Sequence, residues 1–183
     1  MYLVKNPDDG TDEELIARCR AGDTSAFEAL VVRYQAVLFR VAVRMLGDRE
    51  EARDATQNTL LKVYENLAAY DASRRFFSWA YRILMNDCLN TLRSRRPEQP
   101  VTPEMLFVDA PVSRVEVQER RRTIQAALLT LPVEQREVIV LRHFADQSYQ
   151  EIGVTLGIPE KTVKSRLYSA RGRLLQILID CRV

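Results

Sequence analysis

The chain has 183 residues, of which 46% are hydrophobic and 28% charged, and its formal net charge at pH 7 is +2. This composition is typical of one or two packed domains and excludes an intrinsically disordered chain. No apolar run approaches the roughly 20 residues of a membrane span. The N-terminus also lacks a signal-peptide core and cleavage site, so we expect a cytoplasmic protein without membrane insertion of its own.

The first part of the chain is predicted to form four helices between residues 11 and 96, after an N-terminal tail of residues 1–10. Capping residues predict where the first three helices start: Thr11 with Glu14, Asp23, and Asp48 with Glu51. Gly22 and Gly47 predict where the first and second helices end. The fourth helix runs from about Arg75 to Arg95. Apolar residues at helical spacing are predicted to face a common core: Phe27, Leu30, Val31, Tyr34, Leu38, Val41 and Met45 in the second helix, Ala52, Leu60, Val63, Tyr64 and Leu67 in the third, and Phe76, Ala80, Ile83, Leu84 and Cys88 in the fourth.

Charge is divided unevenly along these helices. Residues 8–73 carry eight basic and thirteen acidic side chains, a net charge of −5, whereas residues 74–96 carry six Arg and one Asp, a net charge of +5. Such a division suggests two different partners. Residues 70–96, which include this basic segment, also hold five aromatic residues. Aromatic side chains interleaved with basic ones suit the binding of single-stranded nucleic acid. For any one aromatic, including Phe76, Trp79 and Tyr81, packing in the core is the favoured interpretation. Arg82 and Asn86 interrupt the apolar pattern and are better functional candidates.

Prolines separate this part from the rest of the chain. Four of the seven prolines, Pro97, Pro100, Pro103 and Pro111, lie in a stretch without helical periodicity, which predicts a flexible linker over residues 97–112. No run alternates long enough between apolar and polar residues to form a sheet. We therefore predict an all-α protein of two small helical domains, a four-helix bundle at 11–96 and a second domain at 113–183, joined by this linker.

The second domain contains a predicted helix-turn-helix at Ser148–Arg173, SYQEIGVTLGIPEKTVKSRLYSARGR. Ser148 and Glu151 predict a capping box for its first helix, Gly157 predicts the turn, and Pro159 is placed in the first turn of the next helix. In that second helix Val163, Leu167, Ala170 and Leu174 are expected to face inward. Residues 159–173 carry five basic side chains against one acid, which favours DNA as the ligand over a merely solvated helix face.

Catalytic and metal chemistry are not predicted. Cys19, Cys88 and Cys181 are odd in number and widely separated, which favours reduced, mostly buried thiols over disulfides or a zinc knuckle. His143 is the only histidine and has no Cys or His nearby in sequence, so we interpret it as a helix-end residue. No nucleophile, metal cluster or phosphate-binding loop is evident, so we expect no enzyme activity and no cofactor.

The chain resembles bacterial sigma factors of the extracytoplasmic function (ECF) group of the sigma-70 family over roughly residues 11–180. The resemblance rests on four blocks that occur in the order of the family: DEELIARCRAGDTSAFEALVVRYQ, EARDATQNTLLKVYENLAAYD, FFSWAYRILMNDCLNTLRSRR and LPVEQREVIVLRHFADQSYQEIGVTLGIPEKTVKSRLYSAR. The first three blocks resemble the promoter-melting domain, region 2, and the fourth resembles the region 4 helix-turn-helix domain. The resemblance implies a subunit that binds core RNA polymerase, recognises the minus-thirty-five and minus-ten promoter elements and helps to open the DNA.

The resemblance also implies three groups of site residues. Contacts to the minus-thirty-five element are expected from Lys161, Thr162, Lys164, Ser165, Tyr168 and Arg171. Minus-ten recognition and melting are expected from Lys62, Tyr70, Arg74, Arg75, Tyr81, Arg82 and Asn86. Core polymerase is expected to bind Asp54, Gln57, Leu61 and Glu65. An anti-sigma factor is a further expected partner.

Two questions stay open from the sequence alone. Lys164 stands where Arg is frequent in such proteins, and Ser169 where another basic residue can occur. Because Lys lacks the bidentate geometry that Arg offers to guanine, the resemblance implies the mode of DNA binding but not the preferred sequence. The alternative function is a helix-turn-helix repressor or activator whose helical N-terminal domain dimerises or senses a ligand. That alternative leaves the basic aromatic segment at 74–96 unexplained.

Overall fold

The computed structural model describes residues 10–95 and 115–180, and these two ranges form eight α-helices and no strand. The helices are α1 (Asp12–Arg20), α2 (Thr24–Leu46), α3 (Arg49–Asn66), α4 (Phe76–Ser94), α5 (Val115–Thr130), α6 (Val133–His143), α7 (Tyr149–Leu156) and α8 (Glu160–Asp180), with a 3-10 turn at Leu67–Ala69 between α3 and α4. The predicted all-α class is confirmed. The predicted linker, nearly all of the predicted tail, and Cys181 lie outside the described residues. None of the described helices is long and apolar enough to cross a membrane.

The predicted caps position the first helices, with one exception. Thr11 and Glu14 form the complete capping box of α1, and Asp23 accepts a hydrogen bond from the backbone N–H of Ser25 at the start of α2. Helix α2 ends at Gly47, whose φ of 75° is the left-handed conformation that glycine adopts without strain. Asp48 and Glu51 were predicted to form a capping box at the start of α3. Asp48 does accept a hydrogen bond from the backbone N–H of Glu51, but the prediction of a complete box is wrong. The Glu51 carboxylate forms an ion pair with Arg95 instead.

The core of the bundle contains most of the predicted apolar stripe. Leu30, Leu38, Val41 and Met45 of α2 are buried, as are Ala52, Val63, Leu67, Phe76, Ala80, Leu84 and Cys88 from the following elements. The prediction was wrong for Tyr64, which is 52% exposed and packs its ring edge against Phe27 on the surface. Tyr34, Tyr70, Phe76 and Trp79 form an aromatic cluster with ring centroids 5.1 to 5.9 Å apart, so the packing interpretation of these rings is confirmed.

The helix-turn-helix forms as its sequence indicates. Ser148 and Glu151 form a complete capping box at the start of α7, and Gly157 ends that helix with a φ of 68°. Pro159 lies just before α8 rather than inside it, and its carbonyl accepts the N–H of Thr162 at 2.9 Å. Val163, Leu167 and Ala170 are buried, and Leu174 is partly buried. His143 is the last residue of α6, as predicted.

The close approach of the turn to α7 depends on Gly153. A Cβ atom at this position would lie 2.8 Å from the backbone oxygen of Ile158, a distance that real Cβ contacts do not show. That oxygen belongs to the backbone of the turn and cannot rotate away as a side chain can. The turn and α7 can therefore pack this closely only with glycine at residue 153.

The helices from the two parts of the chain also pack against each other. Helix α2 contacts α5 and α6, and α4 contacts α7. The buried residues of α5 to α8 belong to the same continuous hydrophobic cluster as those of α1 to α4. The described structure is thus a closed arrangement in which the two predicted domains share a core.

We predict that Gly153→Ala lowers the free energy of unfolding by about 1 to 3 kcal/mol, because the added methyl group forces the turn away from α7. Gly172→Ala is the matched control, since a Cβ at residue 172 of α8 meets no atom within 4 Å. Alanine should stabilise that helix by about 0.5 to 1 kcal/mol. Urea unfolding followed by circular dichroism measures both changes, and equal stability of Gly153→Ala and wild type would contradict the packing described above.

Candidate nucleic-acid and protein interfaces

The outer face of α8 carries the residues predicted for the minus-thirty-five element. Five of the six are exposed and Thr162 is partly exposed, whereas Val163, Leu167 and Ala170 on the opposite side are buried. Tyr168 has 84% of its surface exposed, more than any other large apolar or aromatic residue in the described ranges. An unpacked ring of this size beside basic side chains is suited to contact with a nucleic acid.

The basic side chains of this face are exposed and can contact phosphate, and among them Lys164 has an acidic partner. Lys164 forms an ion pair with Glu160 at 2.7 Å, one turn earlier on the same helix. The hydrogen bond and charge of Glu160 raise the pKa of Lys164. Arg166 is basic but points inward, where it pairs with Glu137 at 2.8 Å. Burial, reinforced by the positive charges of Arg171 and Arg142, lowers the pKa of the His143 imidazole and so disfavours its charged form.

The residues predicted for the minus-ten element divide into an exposed and a buried group. Lys62, Arg74, Arg75, Arg82 and Asn86 are exposed. The two tyrosines of this set form the buried group, because Tyr70 is 7% and Tyr81 3% exposed. Tyr70 packs in the aromatic cluster and its hydroxyl donates to the carbonyl of Arg74. Burial raises the pKa of both phenols. Both rings are buried in the described structure, and their part in minus-ten recognition stays a prediction.

The exposed minus-ten candidates differ in their partners. Lys62 forms an ion pair with Asp87 of α4, and Arg74 pairs with Asp71 at 3.4 Å within the preceding loop. Arg75 lies 2.6 Å from the carboxylate of Glu151, a residue of the helix-turn-helix. This last contact joins residues 76 positions apart in the chain. No pattern in the sequence indicates it.

A cleft of about 300 Å³ lies between α4 and the helices α6 to α8. Arg82, Asn86 and Arg93 line one wall, and Glu134, Glu137, Thr155 and Arg166 line the other. Arg93 was not among the predicted site residues. Its spacing of seven residues from Asn86, two turns along the same helix, is the signal that could have identified it.

Glu137 is the buried acid of this cleft. Its side chain is 8% exposed, and burial raises its pKa to about 7, although the neighbouring Arg166 acts in the opposite direction. Desolvation of the carboxylate therefore outweighs the attraction of the guanidinium. The proton on Glu137 is held in the folded protein at pH values where an exposed glutamate would have lost it.

The four residues predicted to bind polymerase lie along the outer face of α3. Asp54, Gln57, Leu61 and Glu65 follow at intervals of three and four residues, and all four are exposed. Leu61 has 60% of its surface exposed, beside the 52% exposed Tyr64. An exposed leucine and tyrosine among acidic and polar residues form a small apolar centre with a polar rim, which is typical of a protein-binding surface.

Comparison with known proteins matches two separate parts of the chain to two family models. Residues 30–98 match the family model Sigma-70 region 2, and residues 121–174 match Sigma-70, region 4. The ECF RNA polymerase sigma factor SigW of Bacillus subtilis is 32% identical over 178 residues, covering 90% of this chain and 95% of that protein. The ECF RNA polymerase sigma factor SigM of Mycobacterium tuberculosis H37Rv is 35% identical over 168 residues, covering 92% and 85% respectively.

Solved structures extend the likeness to the fold. The structure of CnrH in complex with the cytosolic domain of CnrY aligns with a TM-score of 0.74 at 27% identity, covering 92% of this chain and 97% of that one. The sigma factor RpoE of Bartonella quintana, in complex with the anti-sigma factor NepR, shares the fold with a TM-score of 0.68 at 24% identity, covering 83% of this chain and 96% of that one.

An all-helical chain with a basic helix-turn-helix and a second basic surface on a helical bundle belongs to the class of DNA-recognition proteins. With full-length relatives above 30% identity and both region models matched, the chain belongs to the ECF sigma factors of the sigma-70 family.

We predict that Glu137 makes folding stability fall as the pH rises. Its folded pKa of about 7 lies above the ordinary value of 4.5, so its contribution is fully present below pH 4.5 and is lost as the pH rises through 7. The stability of wild type relative to Glu137→Gln should thus drop by about 2 to 3 kcal/mol between pH 5 and pH 8. Urea unfolding of both proteins over this range measures the difference. Parallel profiles would show that Glu137 titrates normally.

Proposed function

We propose that this chain is a sigma factor that binds core RNA polymerase, recognises the minus-thirty-five and minus-ten elements of its promoters and promotes DNA opening. The observation that carries the proposal is the presence of three separate exposed surfaces on one chain. These are the basic face of α8, the Arg and Asn side chains along α4, and the acidic and apolar face of α3. A simple repressor needs the first surface but has no use for the other two.

The basic face of α8 is proposed to lie in the major groove at the minus-thirty-five element. Lys161, Lys164 and Arg171 would supply phosphate and base-edge contacts, while Ser165 and Tyr168 would contact neighbouring groups. Lys164 must exchange Glu160 for DNA to take part, and its ammonium cannot make the bidentate pairing with guanine that a guanidinium makes. Promoter choice by this helix should therefore depend on the geometry around Lys164 more than on charge alone.

The exposed side of α4 is proposed to receive the nontemplate strand at the minus-ten element. Arg74, Arg75 and Arg82 would follow the phosphates, with Lys62 beside them across the helix pair. Asn86 offers both a donor and an acceptor, the combination needed to read a base edge. Extruding a base costs a few kcal/mol, and these contacts would offset that cost.

Asp54, Gln57, Leu61 and Glu65 on α3 are proposed to bind core polymerase. The acidic character of residues 8–73 disfavours DNA as the ligand of this surface and suits a protein partner with basic side chains. Leu61 supplies apolar area that becomes buried on binding.

Regulation by an anti-sigma factor is part of the proposal. Two proteins of the same fold support it, because CnrH was solved in complex with the cytosolic domain of CnrY, and RpoE in complex with the anti-sigma factor NepR. A protein of this kind would act in the cytoplasm, as a subunit that directs polymerase and performs no covalent chemistry of its own.

We expect purified protein added to core polymerase to support run-off transcription from a subset of promoters with no other sigma factor present. A pool of random promoter sequences, transcribed and then sequenced, measures both activity and preferred elements. Tight binding to promoter DNA without any transcript in the presence of core enzyme would contradict the proposal and favour a repressor.

We further expect two substitutions to affect different steps. Lys164→Ala should weaken discrimination at the minus-thirty-five element by about 1 to 3 kcal/mol per affected base pair, because a base-edge contact is lost. Asn86→Ala should leave closed-complex binding intact and slow opening, because its contacts form only with an extruded base. Gel shift with polymerase measures the first step, and permanganate reactivity of unpaired thymines measures the second.

Two exposed residues provide matched controls for these variants. Arg173→Ala removes one positive charge from α8 outside the predicted contact set, so it should reduce binding similarly on all sequences. Asn90→Ala changes the same residue type one turn further along α4 and should open promoters normally. Equal losses at both steps for Lys164→Ala and Asn86→Ala would contradict the proposed division of roles.

A further inference from the structure

Helix α3 ends without the residues that commonly satisfy the last carbonyls of a helix. Its last turn holds no basic side chain, and Leu67 at its C-cap has right-handed backbone angles instead of the left-handed ones of a glycine cap. The 3-10 turn Leu67–Ala69 that follows also has no basic residue in its last turn. The carbonyl oxygens of this segment are therefore open to a donor from another part of the chain.

Arg20, the last residue of α1, supplies that donor. Its Nε and Nη2 atoms donate to the carbonyl of Leu67 at 3.1 and 3.0 Å, and Nη2 also donates to the carbonyls of Ala68, at 3.3 Å, and Tyr70. The guanidinium carbon lies 5.9 Å from the centre of the Tyr70 ring. A cation at the carbonyl end of a helix is also favoured by the helix dipole. One guanidinium thus holds three carbonyls of a turn that lies 47 to 50 positions further along the chain.

Helix α1 is itself fixed to the bundle, so it can support Arg20. The Arg33 side chain of α2 is 2% exposed and pairs with Asp12 of α1 at 2.5 Å. The hydroxyl of Tyr34, also in α2, donates to the other carboxylate oxygen of Asp12. The position of α1 is therefore set by contacts that do not involve the turn that Arg20 bonds.

The bonds of Arg20 continue into residues 70–75, which we call the minus-ten loop because it carries predicted contacts to that element. Tyr70 begins the loop, and its hydroxyl donates to the carbonyl of Arg74, which closes the loop on itself. Within the loop, the carbonyl of Asp71 accepts the backbone N–H of Arg74 at 3.0 Å. The shape of the minus-ten loop therefore depends on the position of Tyr70, whose carbonyl and ring both contact Arg20.

We propose that Arg20 is a positioning residue for minus-ten recognition, because it holds the minus-ten loop in the shape in which Arg74 and Arg75 meet the nontemplate strand. This role rests on the proposed sigma-factor function and adds to it a residue that acts through the loop. A loop that is fixed before binding loses less conformational entropy when DNA binds, so more of its contact energy is available for extruding a base. Arg20 lies outside the three groups of site residues that the resemblance implies.

The test variant is Arg20→Gln, which keeps a polar side chain but loses the charge and the planar fork that bridges several carbonyls. Because Arg20 is exposed, water can replace its bonds, and the variant should stay folded. Arg18→Gln is the matched control, since it makes the same change on the same helix, and Arg18 pairs with Asp23 at the start of α2. Arg20→Lys is the conservative variant. Its ammonium keeps the charge without the fork, so it should restore part of what Arg20→Gln loses.

Hydrogen exchange of the free full-length proteins, followed by mass spectrometry, measures the hold on the loop directly. Peptides covering residues 67–75 should exchange about tenfold faster in Arg20→Gln than in wild type or Arg18→Gln, because the amides of Tyr70 and Arg74 are bonded within this segment. Peptides from the centre of α2 should exchange at the wild-type rate in all the proteins, which shows that the change is local.

Promoter opening by each protein bound to core polymerase measures the consequence for recognition. Arg20→Gln should form closed complexes like wild type but open promoters about tenfold more slowly, with Arg20→Lys between the two. Single base changes in the minus-ten element should also affect Arg20→Gln less than wild type, because a displaced loop distinguishes the bases less well. A merely structural role would lower the amount of active protein and leave this base preference unchanged. Permanganate reactivity over a set of substituted promoters measures both quantities.

Tyr70→Phe provides an independent second variant, because it removes the hydroxyl that closes the minus-ten loop and keeps the ring. If Arg20 acts through this loop, the double variant Arg20→Gln plus Tyr70→Phe should slow opening by less than the product of the two separate fold-changes. The full product would show that the two residues act independently, and it would contradict the proposed role.

Wild-type exchange of residues 67–75 in Arg20→Gln would overturn the proposal, and so would normal opening and base preference in a variant whose loop exchanges faster. Run-off transcription by wild type with core polymerase separates these failures from that of the function. Absence of transcripts from wild type would reject the sigma-factor function together with any recognition role of Arg20. The exchange measurement on the free protein would still report whether Arg20 holds the loop.

Discussion

The C-terminus of α2 is the point on which the whole arrangement depends. An unpaired backbone carbonyl buried among apolar residues costs about 1 to 3 kcal/mol, so the last turn of a buried helix needs partners from elsewhere. Here the side chain of Arg95, in the first domain, donates to the carbonyl of Leu46. The side chains of Gln125 and Arg136, in the second domain, donate to the carbonyls of Arg44 and Met45. Apolar surfaces tolerate sliding, whereas hydrogen bonds to particular carbonyls do not. These bonds therefore fix the position of α5 and α6, and with them the cleft beside α4.

Helix α4 serves the core and the proposed DNA surface at once. Phe76, Tyr81 and Met85 are buried, whereas Arg82 and Asn86, each next to a buried residue in sequence, are exposed. The buried rings hold the backbone of α4 in place. The points from which Arg82 and Asn86 project are therefore fixed before binding, which lowers the entropy cost of binding. In the basic aromatic segment, the buried aromatic residues thus pack the helix against the core, and the exposed arginine and asparagine side chains form the proposed contact surface.

Local signals in the sequence were enough to predict the all-α class, the caps at Thr11, Asp23 and Ser148, and the helix-turn-helix, because each depends on residues within one or two turns. Prediction failed where a distant partner decides. Glu51 takes Arg95 instead of its own helix terminus, and Tyr64 lies outside because neighbouring helices leave its face of α3 uncovered. The contacts of Gln125 and Arg136 join residues 81 to 91 positions apart, and no periodicity signals them.

The three proposed interfaces are all exposed, but they differ in their surroundings. Asp54, Gln57, Leu61 and Glu65 lie on the outer face of α3, and Lys161, Lys164, Ser165, Tyr168 and Arg171 lie on the outer face of α8. Arg82 and Asn86 instead line a cleft whose other wall belongs to α6, α7 and α8. A partner therefore reaches α3 and α8 from open solvent, whereas a base proposed to contact Asn86 has to enter this cleft.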